Sequence, residues 1–219
     1  MGTPVVFLLD LDNTLIDNDA VRARLTEGTR RFLGGTLSER FWKLYDEVRD
    51  ENGYVDFLET LERFHREASA GKDVLSDRRS QLDRLILDFP YADVRYPATL
   101  DVIAALWTAG TPVVLSDGDP VFQPLKIYRS GVGEAVRGNV LVFPHKESCL
   151  GIVERLFPAT RYFAVDDKAR VLAALKTQWG DRLTTVHVLQ GKYADDAYTG
   201  PAPDHVLKEI AELRELIGA

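Results

Sequence analysis

The sequence predicts an α/β fold in which a doubly wound parallel sheet carries an inserted α-helical segment. Three observations support this prediction. The continuously apolar stretch Val5–Leu9 is typical of a parallel strand that is covered on both faces. Residues 18–96 then carry apolar side chains at helical spacing and contain no convincing strand. From Pro97 onward strand and helix patterns alternate, which is typical of the βα units of a parallel sheet.

These patterns divide the chain into two predicted units. Residues 1–17 and 97–219 form a core that contains the sheet, and residues 18–96 form a helical bundle inserted after the first strand. The apolar residues of the bundle recur every three or four positions, as the buried face of a helix requires. They include Phe41, Leu44, Tyr45 and Val48, then Phe57, Leu58, Leu61 and Phe64, then Leu82, Leu85, Ile86 and Phe89.

Within the core, further strands are predicted at residues 112–115, 139–143, 162–165 and 185–189. Gly110 and Gly131 are expected to end helices, because glycine suits the left-handed position after a helix. Asp119 is placed to cap the helix that follows it. A last helix is expected after Pro203, and the residues that share its apolar face are Val206, Leu207, Ile210, Leu213 and Leu216.

The composition bounds the function. With 219 residues, of which 45% are hydrophobic, the chain can bury a core of the size that this fold needs. The formal net charge of −7 argues against a general nucleic-acid binder, which needs a basic surface to neutralise backbone phosphates. It does not exclude a small phosphorylated substrate, provided that the site supplies a cation or a metal ion.

The cysteine content and the amino terminus indicate the compartment. Cys149 is the only cysteine, so no intramolecular disulfide can form and a reducing compartment fits best. The amino terminus has no basic segment, and its apolar stretch is too short for a signal peptide or a membrane span. We therefore expect a cytoplasmic protein without a membrane partner. The oligomeric state is not readable from the sequence.

Polar side chains stand where the predicted strands end. Because the carboxyl ends of parallel strands meet at one edge of a sheet, these side chains are expected to converge. They are Asp10, Asp12, Ser116, Asp166 and Asp167, together with Lys146 at the start of the helix after another strand.

Such a group of residues suits phosphoryl transfer. The carboxylate of Asp10 can act as a nucleophile towards phosphorus, giving an aspartyl-phosphate that water then cleaves. Asp12 can protonate the leaving oxygen and later activate the water. Ser116 can donate a hydrogen bond to a phosphoryl oxygen, and Lys146 can hold the charge that builds on it.

The acids also predict a metal site. Asp166 and Asp167 offer hard oxygen ligands that, together with Asp10, suit Mg²⁺. The ion would screen the repulsion between an anionic nucleophile and an anionic substrate.

Taken in order, these residues resemble the haloacid dehalogenase-like (HAD) hydrolase superfamily over nearly the whole chain. The family's first motif, D-x-D-x-T after an apolar strand, matches Asp10–Thr14. Its second motif, a strand that ends in Ser or Thr, matches Val113–Ser116, and its third, a lysine at a helix start, matches Lys146. Its fourth motif, an apolar strand that ends in paired acids, matches Tyr162–Asp167.

The resemblance implies a Rossmann-like core, a helical cap formed by residues 18–96, and dependence on Mg²⁺. The roles that it assigns are nucleophile for Asp10, general acid/base for Asp12, and phosphoryl binding for Ser116 and Lys146. It also implies metal ligation by Asp10, by the backbone carbonyl of Asp12 and by an acid of the fourth motif. Of the two acids in that motif, Asp167 is favoured over Asp166 as the direct ligand.

The chain departs from the family's pattern in two motifs. The fourth has Asp166 where many members carry glycine, and Lys168 where a small residue is frequent. Lys168 is therefore in a position to pair with one of the acids and change the metal affinity. The third motif reads Pro144-His145-Lys146-Glu147 instead of the commoner Lys-Pro. A second acid pair, Asp195-Asp196, follows no apolar strand and is interpreted as a solvated loop.

The predicted function is hydrolysis of a small phosphomonoester, because a helical cap would exclude water and large ligands from the site. A 2-haloacid dehalogenase-type hydrolase is an alternative, but that chemistry has no need of an acid at position 12. A sugar-phosphate mutase shares both Asp10 and Asp12 and stays open. The alternatives outside catalysis are a phospho-accepting signalling module and a catalytically idle binding protein.

Overall fold

The predicted α/β fold is confirmed by the computed structural model, which describes residues 4–69, 79–194 and 198–218. The acid pair Asp195-Asp196 lies outside these residues. Six strands among them form one parallel sheet in the order β3-β2-β1-β4-β5-β6. The strands are β1 Val5–Leu9, β2 Thr111–Asp117, β3 Val140–Phe143, β4 Arg161–Asp166, β5 Leu183–Val188 and β6 His205–Leu207.

Helices precede, follow and separate these strands. They are α1 Asn18–Leu33, α2 Gly35–Asn52, α3 Phe57–Ser69, α4 Arg79–Leu87, α5 Thr99–Ala109, α6 Phe122–Arg129, α7 Val132–Ala135, α8 Leu150–Leu156, α9 Ala169–Trp179 and α10 Leu213–Gly218. Within the described part of the chain, no helix combines the length and the apolar character needed to cross a bilayer.

Both faces of the sheet are covered, because successive side chains of a strand point to opposite sides. Val6 and Leu8 of β1 belong to a buried cluster that includes residues of α8 and α9. Phe7 and Leu9 belong to a second cluster, which includes residues of α5 and α10. The uninterrupted apolar sequence of β1 follows from this burial on both sides.

The strand order reverses at β1. From this strand the sheet extends to β2 and β3 on one side, and to β4, β5 and β6 on the other. The connections that leave the two sides diverge, which leaves a crevice at the carboxyl edge of the sheet. Ligands of doubly wound sheets bind in this crevice.

The segment between β1 and α5 contains α1–α4, which we call the helical cap, and no strand among its described residues. Aromatic side chains form its interior. The ring of Phe41 lies 5.2 Å from that of Trp42 and 5.5 Å from that of Phe64. Phe57 of α3 packs 4.8 Å from Phe122 of α6, so the cap contacts the core through a pair of aromatic rings.

The chain passes between core and cap twice, and the two crossings lie side by side. The Asp17 amide donates to the Val94 carbonyl at 2.7 Å, and the Tyr96 amide donates to the Leu15 carbonyl at 3.1 Å. Asp17 also caps α1, since its carboxylate accepts from the Ala20 amide at 2.8 Å. The predicted division of the chain into core and cap after residues 17 and 96 stays a prediction. The hydrogen bonds above join the two segments in which these boundaries lie.

Two elements differ from those predicted. Residues 205–207 form the edge strand β6 instead of the first turn of a terminal helix. Their pairing with β5 and the burial of Leu207 in the core outweigh the helical spacing of the apolar residues. Lys146 begins a short 3₁₀ turn, Lys146–Ser148, and α8 begins only at Leu150.

The two glycines predicted to end helices are glycine for different reasons. Gly131 adopts the expected left-handed conformation, with a φ of 77°. Gly110 has a φ of 174°, which is extended backbone, so the predicted left-handed conformation is wrong there. A Cβ atom at this position would lie 2.5 Å from the carbonyl oxygen of Val5, so the close approach of α5 and β1 requires glycine.

Substitution Gly110→Ala is expected to lower the free energy of unfolding by about 1–3 kcal/mol, the usual cost of forcing extra volume into a packed region. Urea denaturation of the variant measures this loss. The matched control is Gly151→Ala in α8, where a Cβ atom would meet nothing within 4 Å. That change should leave stability unchanged or raise it slightly. Equal stability of the two variants would contradict the role given to Gly110.

Candidate active site

The turn after β1 holds the two aspartates of the first motif. The Asp10 amide donates to the Val165 carbonyl of β4 at 2.9 Å, which ties the end of β1 to its neighbour. The Leu11 carbonyl then accepts from the Leu15 amide at 2.9 Å and closes the turn. Asn13 occupies the left-handed region with a φ of 60°, which asparagine tolerates better than most residues. Both aspartates are thereby held at the carboxyl edge of the sheet.

A buried lysine links the first and fourth motifs. Lys146 Nζ lies 2.6 Å from Asp10 Oδ1 and 2.6 Å from Asp166 Oδ2, and only 1% of the lysine is exposed. The backbone amide of Lys146 donates to Asp117 Oδ1 at 2.8 Å, which holds the start of its 3₁₀ turn. Because an unpaired buried carboxylate is costly, the lysine makes the burial of both acids possible.

Asp167 completes a cluster of three buried acids. Ligand oxygens of Asp10, Asp166 and Asp167 all lie within 4.8 Å of one another. Among the described residues, both carboxylate oxygens of Asp167 and the Oδ2 atom of Asp10 are buried without a hydrogen-bond partner. Such oxygens are costly unless a ligand satisfies them, and a divalent cation that prefers hard oxygen ligands would do so. The residues present therefore fit a metal ion.

Backbone contacts hold the fourth motif in place. Asp166 Oδ1 accepts from the Lys168 amide at 2.8 Å, and its other carboxylate oxygen faces Lys146. His187 of β5 donates from Nε2 to the Asp167 carbonyl at 2.9 Å. Asp166 is thus already engaged by protein groups, whereas the carboxylate of Asp167 has none in the described structure. This difference favours Asp167 as the direct metal ligand.

Burial and mutual repulsion perturb the acids. Burial raises the pKa of Asp10 to about 6, with Lys146 opposing the rise and Asp166 adding to it. Burial, then the charges of Asp10 and Asp166, raise the pKa of Asp167 to about 9. Burial acts on Asp166 too, but Lys146 and Lys168 outweigh it and hold the pKa of that carboxyl below its ordinary value.

A second network connects Asp12 with Ser116. Gln123 Nε2 donates to Ser116 Oγ at 2.9 Å and to Asp12 Oδ2 at 3.2 Å. Lys126 forms an ion pair with Asp12 through Oδ1 and donates to Asn18 Oδ1 at 2.7 Å. The side chain expected to act as general acid/base is therefore oriented by an amide and an ammonium group from α6.

Sequence reasoning missed Gln123 and Lys126. They lie three residues apart and so share one face of α6, and both are buried. The spacing was a signal that the sequence offered, but it does not show what the face meets. Asp119 Oδ1 accepts from the amides of Val121 and Phe122 at 2.9 and 2.6 Å, as expected of a capping side chain. The helix α6 begins later than predicted, at Phe122, and Val121 occupies its N-cap position.

A cavity of about 720 Å³ lies between the helical cap and the core. Asp12, Asp117, Asp167 and Lys168 line it from the core, and the cap contributes Arg22, Tyr45 and Phe57. A volume of this size suits a small molecule.

The structure brings the predicted site residues together in two linked groups. Lys146 contacts Asp10 and Asp166, and Asp167 shares their cluster. Gln123 bridges the remaining two, Asp12 and Ser116. The catalytic and metal-binding roles given to these residues stay predictions. Lys168 has its Nζ atom 5.3 Å from the Tyr193 ring, and it contacts Asp166 through its backbone amide.

The raised pKa values predict how the metal-free protein responds to pH. Between about pH 4 and the folded pKa values of about 6 for Asp10 and about 9 for Asp167, the folded protein holds more protons on these groups than the unfolded chain. Their contribution to the free energy of unfolding is therefore fully present below about pH 4 and is lost as pH rises. Substitution Asp167→Asn should flatten this dependence. Urea denaturation in EDTA at pH 5, 7 and 9 measures both slopes, and identical slopes would refute the prediction.

Known proteins resemble this chain in fold more clearly than in sequence. Neither a family model nor a curated protein sequence matches the chain. Two solved structures share its fold at low identity. An L-2-haloacid dehalogenase from Xanthobacter autotrophicus with chloropropionic acid covalently bound has 17% identity and a TM-score of 0.62, covering 100% of this chain and 99% of its own. A HAD hydrolase from Bacillus subtilis bound to magnesium has 13% identity and a TM-score of 0.64, with 100% of both chains covered.

A third structure is much more similar. A haloacid dehalogenase-like hydrolase from Burkholderia xenovorans LB400 is 41% identical, with a TM-score of 0.87, over 98% of this chain and 99% of its own. Identity of this degree over both complete chains is shared by members of one enzyme family, and it agrees with the four motifs and their placement in the fold. The chain belongs to the haloacid dehalogenase-like hydrolases.

Proposed function

We propose that this hydrolase is a Mg²⁺-dependent phosphatase that acts on a small phosphorylated metabolite of the cytoplasm. The observation that carries the proposal is the buried cluster of Asp10, Asp166 and Asp167, with three carboxylate oxygens that lack a partner in the described structure. A divalent cation at this cluster is what an anionic nucleophile needs in order to approach an anionic phosphoryl group. Carbon–halogen hydrolysis has no such need.

In the proposed first step, a carboxylate oxygen of Asp10 attacks phosphorus and the bond from phosphorus to the ester oxygen breaks. Asp12 acts in this step in its protonated form, without the ionic pairing to Lys126 seen in the substrate-free site, and gives its proton to that ester oxygen, which leaves as an alcohol. Asp10, Asp167 and the Asp12 carbonyl would hold Mg²⁺, and the bound ion would supply positive charge to offset that of the phosphoryl oxygens. The second step reverses the use of Asp12, which takes a proton from water as the water attacks the aspartyl-phosphate.

Protein groups orient the reactants for this chemistry. Lys146 contacts Asp10 Oδ1 in the substrate-free site and is placed to offset charge on the transferred group. Ser116 Oγ accepts a hydrogen bond from Gln123 and donates a long one, 3.3 Å, to the Asp117 carbonyl, and a phosphoryl oxygen would replace that carbonyl as the acceptor. The ion pair of Lys126 with Asp12 keeps that carboxyl on the side of the cavity.

A 2-haloacid dehalogenase is the second candidate, because several proteins of this fold are L-2-haloacid dehalogenases. Their identity to this chain, 17% for the Xanthobacter enzyme, supports the fold and not the reaction. Dehalogenation would use Asp10 as nucleophile on carbon and would leave Asp12 without a role. The buried contacts that hold Asp12 therefore support phosphorus over carbon as the electrophile.

Inorganic phosphate release from a panel of phosphomonoesters, measured with Mg²⁺ and with EDTA, tests the proposal. We expect release that requires Mg²⁺ and that disappears in the Asp10→Asn variant, because an amide cannot attack phosphorus in place of the carboxylate. The variant also controls for contaminating phosphatases. Failure of the wild-type protein to release phosphate from any ester would refute the proposal, and halide release from 2-haloacids would then establish the second candidate.

Substitution Asp12→Asn tests the proposed general acid/base role of this residue. It should lower kcat for phosphate release by about 10²- to 10⁴-fold, the usual contribution of a general acid/base. Circular dichroism and the thermal midpoint check that the variant stays folded. A variant that keeps wild-type phosphatase activity would remove Asp12 from the mechanism.

A further inference from the structure

The cavity over the site is rich in positive charge, although the chain as a whole has a net charge of −7. Its cationic side chains are Arg22, Arg49, Lys126, Lys168, Arg170 and Lys192. Most of these have an evident partner or position. Arg49 pairs with Asp46 and Asp50, Lys126 pairs with Asp12, and Arg170 and Lys192 are exposed to solvent. Lys168 is half-buried beside the three acids of the site, whose charges raise its pKa.

Arg22 of α1 is different. It is half-buried in the wall of the cavity, and among the described residues no carboxylate lies within ion-pair distance of it. A half-buried cation without a carboxylate partner loses hydration, and contacts with neutral groups offset this loss less than a paired anion would. An anionic ligand in the cavity would supply that compensation.

Aromatic rings hold Arg22 in one orientation. Its Cζ atom lies 3.7 Å from the centroid of the Trp42 ring and 4.4 Å from that of Tyr45. Trp42 is itself fixed, since its Nε1 atom donates to Thr29 Oγ1 at 3.0 Å. Stacking leaves N–H donors along the edge of a guanidinium, and since only one of the five is needed for the hydrogen bond with Tyr45, others can meet the two oxygens of a carboxylate or phosphate. The group is thus preorganised for bidentate binding.

Tyr45 lies within the electrostatic influence of both Arg22 and Asp12. Burial raises the pKa of the Tyr45 hydroxyl, Arg22 opposes the rise, and Asp12 adds to it, so both charges act on the same phenol. Arg22 and Asp12 also line the same cavity. Asp12 is the proposed acid for the leaving alcohol, and a cap residue that lines the same cavity is placed to meet the part of the substrate beyond the ester oxygen.

We propose that the alcohol part of the substrate carries a second anionic group, a carboxylate or a second phosphate, which Arg22 binds from the helical cap. This inference rests on the proposed phosphatase function. The substrate then spans the cavity, with its phosphoryl group at Asp10 and its second anion at Arg22. Apolar side chains that line the same cavity, among them Val21, Leu25 and Phe57, suit a short carbon skeleton between the two anions.

Three phosphomonoesters that differ only at the far end test the inference. They are 3-phosphonooxypropanoate, propane-1,3-diyl bisphosphate and propyl phosphate, which end in a carboxylate, a phosphate and a methyl group. The wild-type kcat/KM should be at least about tenfold higher for one or both of the compounds with an anionic far end than for propyl phosphate. The better of the two identifies the second anion.

Variants of Arg22 assign the preference to this residue. Arg22→Gln should lower kcat/KM about 10- to 100-fold for the preferred anionic compound and leave propyl phosphate within about twofold. Arg22→Lys keeps the positive charge but loses the two parallel N–H donors of the guanidinium. Its kcat/KM for the preferred anionic compound should lie between those of Arg22→Gln and the wild type. The matched control is Arg24→Gln, on the exposed side of the same helix, which should leave all three values unchanged.

Two results would overturn the inference while leaving the phosphatase function intact. One is wild-type hydrolysis of all three compounds with equal kcat/KM. The other is an equal loss for all three compounds in Arg22→Gln, which would show that the arginine only supports the packing of the cap. If no ester in the panel or in this set releases phosphate, the proposed function itself fails, and this inference fails with it.

Discussion

The buried ion pairs of Lys146 are the interaction on which the site depends. A lysine that is 1% exposed lies between two carboxylates, each 2.6 Å from Nζ, at the carboxyl edge of the sheet. Without this cation, Asp10 and Asp166 would face each other in a medium of low dielectric, and one of them would have to stay protonated. The lysine allows Asp10, the proposed nucleophile, to exist in ionised form at a place from which water is largely excluded.

The remaining acid follows from the same constraint. Lys146 pairs with Asp10 and Asp166, and within the described part of the chain no cationic side chain forms an ion pair with Asp167. The pKa of the Asp167 carboxyl therefore rises to about 9 through burial and the two neighbouring charges. With all three acids ionised, these carboxylates carry two more negative charges than the single ammonium group of Lys146 offsets, which is the charge that a divalent cation would balance. The excess negative charge lies beside Asp10, so a cation bound there would also be close to the phosphoryl group in the proposed reaction.

Around this centre, the helix α6 orients side chains of the core, and the helical cap supplies an arginine to the cavity. Gln123 and Lys126 hold Asp12 and Ser116 from the core side, and Arg22 stands opposite on α1 with its guanidinium stacked against aromatic rings. The cap rests on the core through aromatic packing and through paired crossings near residues 17 and 96. Such contacts suit a cap that closes over small ligands, because the cavity between the two parts is lined by both.

The sequence by itself determined the fold class, the helical character of the insertion and the residues of the first and fourth motifs, because these depend on apolar strands followed at once by acids. Tertiary structure decided the rest. Lys146 reaches Asp10 across 136 positions, and Gln123 reaches Asp12 across 111 positions. The glycine at position 110 is required by a neighbouring strand, and β6 forms because an edge was open beside β5. No local pattern encodes such contacts, since periodicity reports which face of an element is buried and not which residue it meets there.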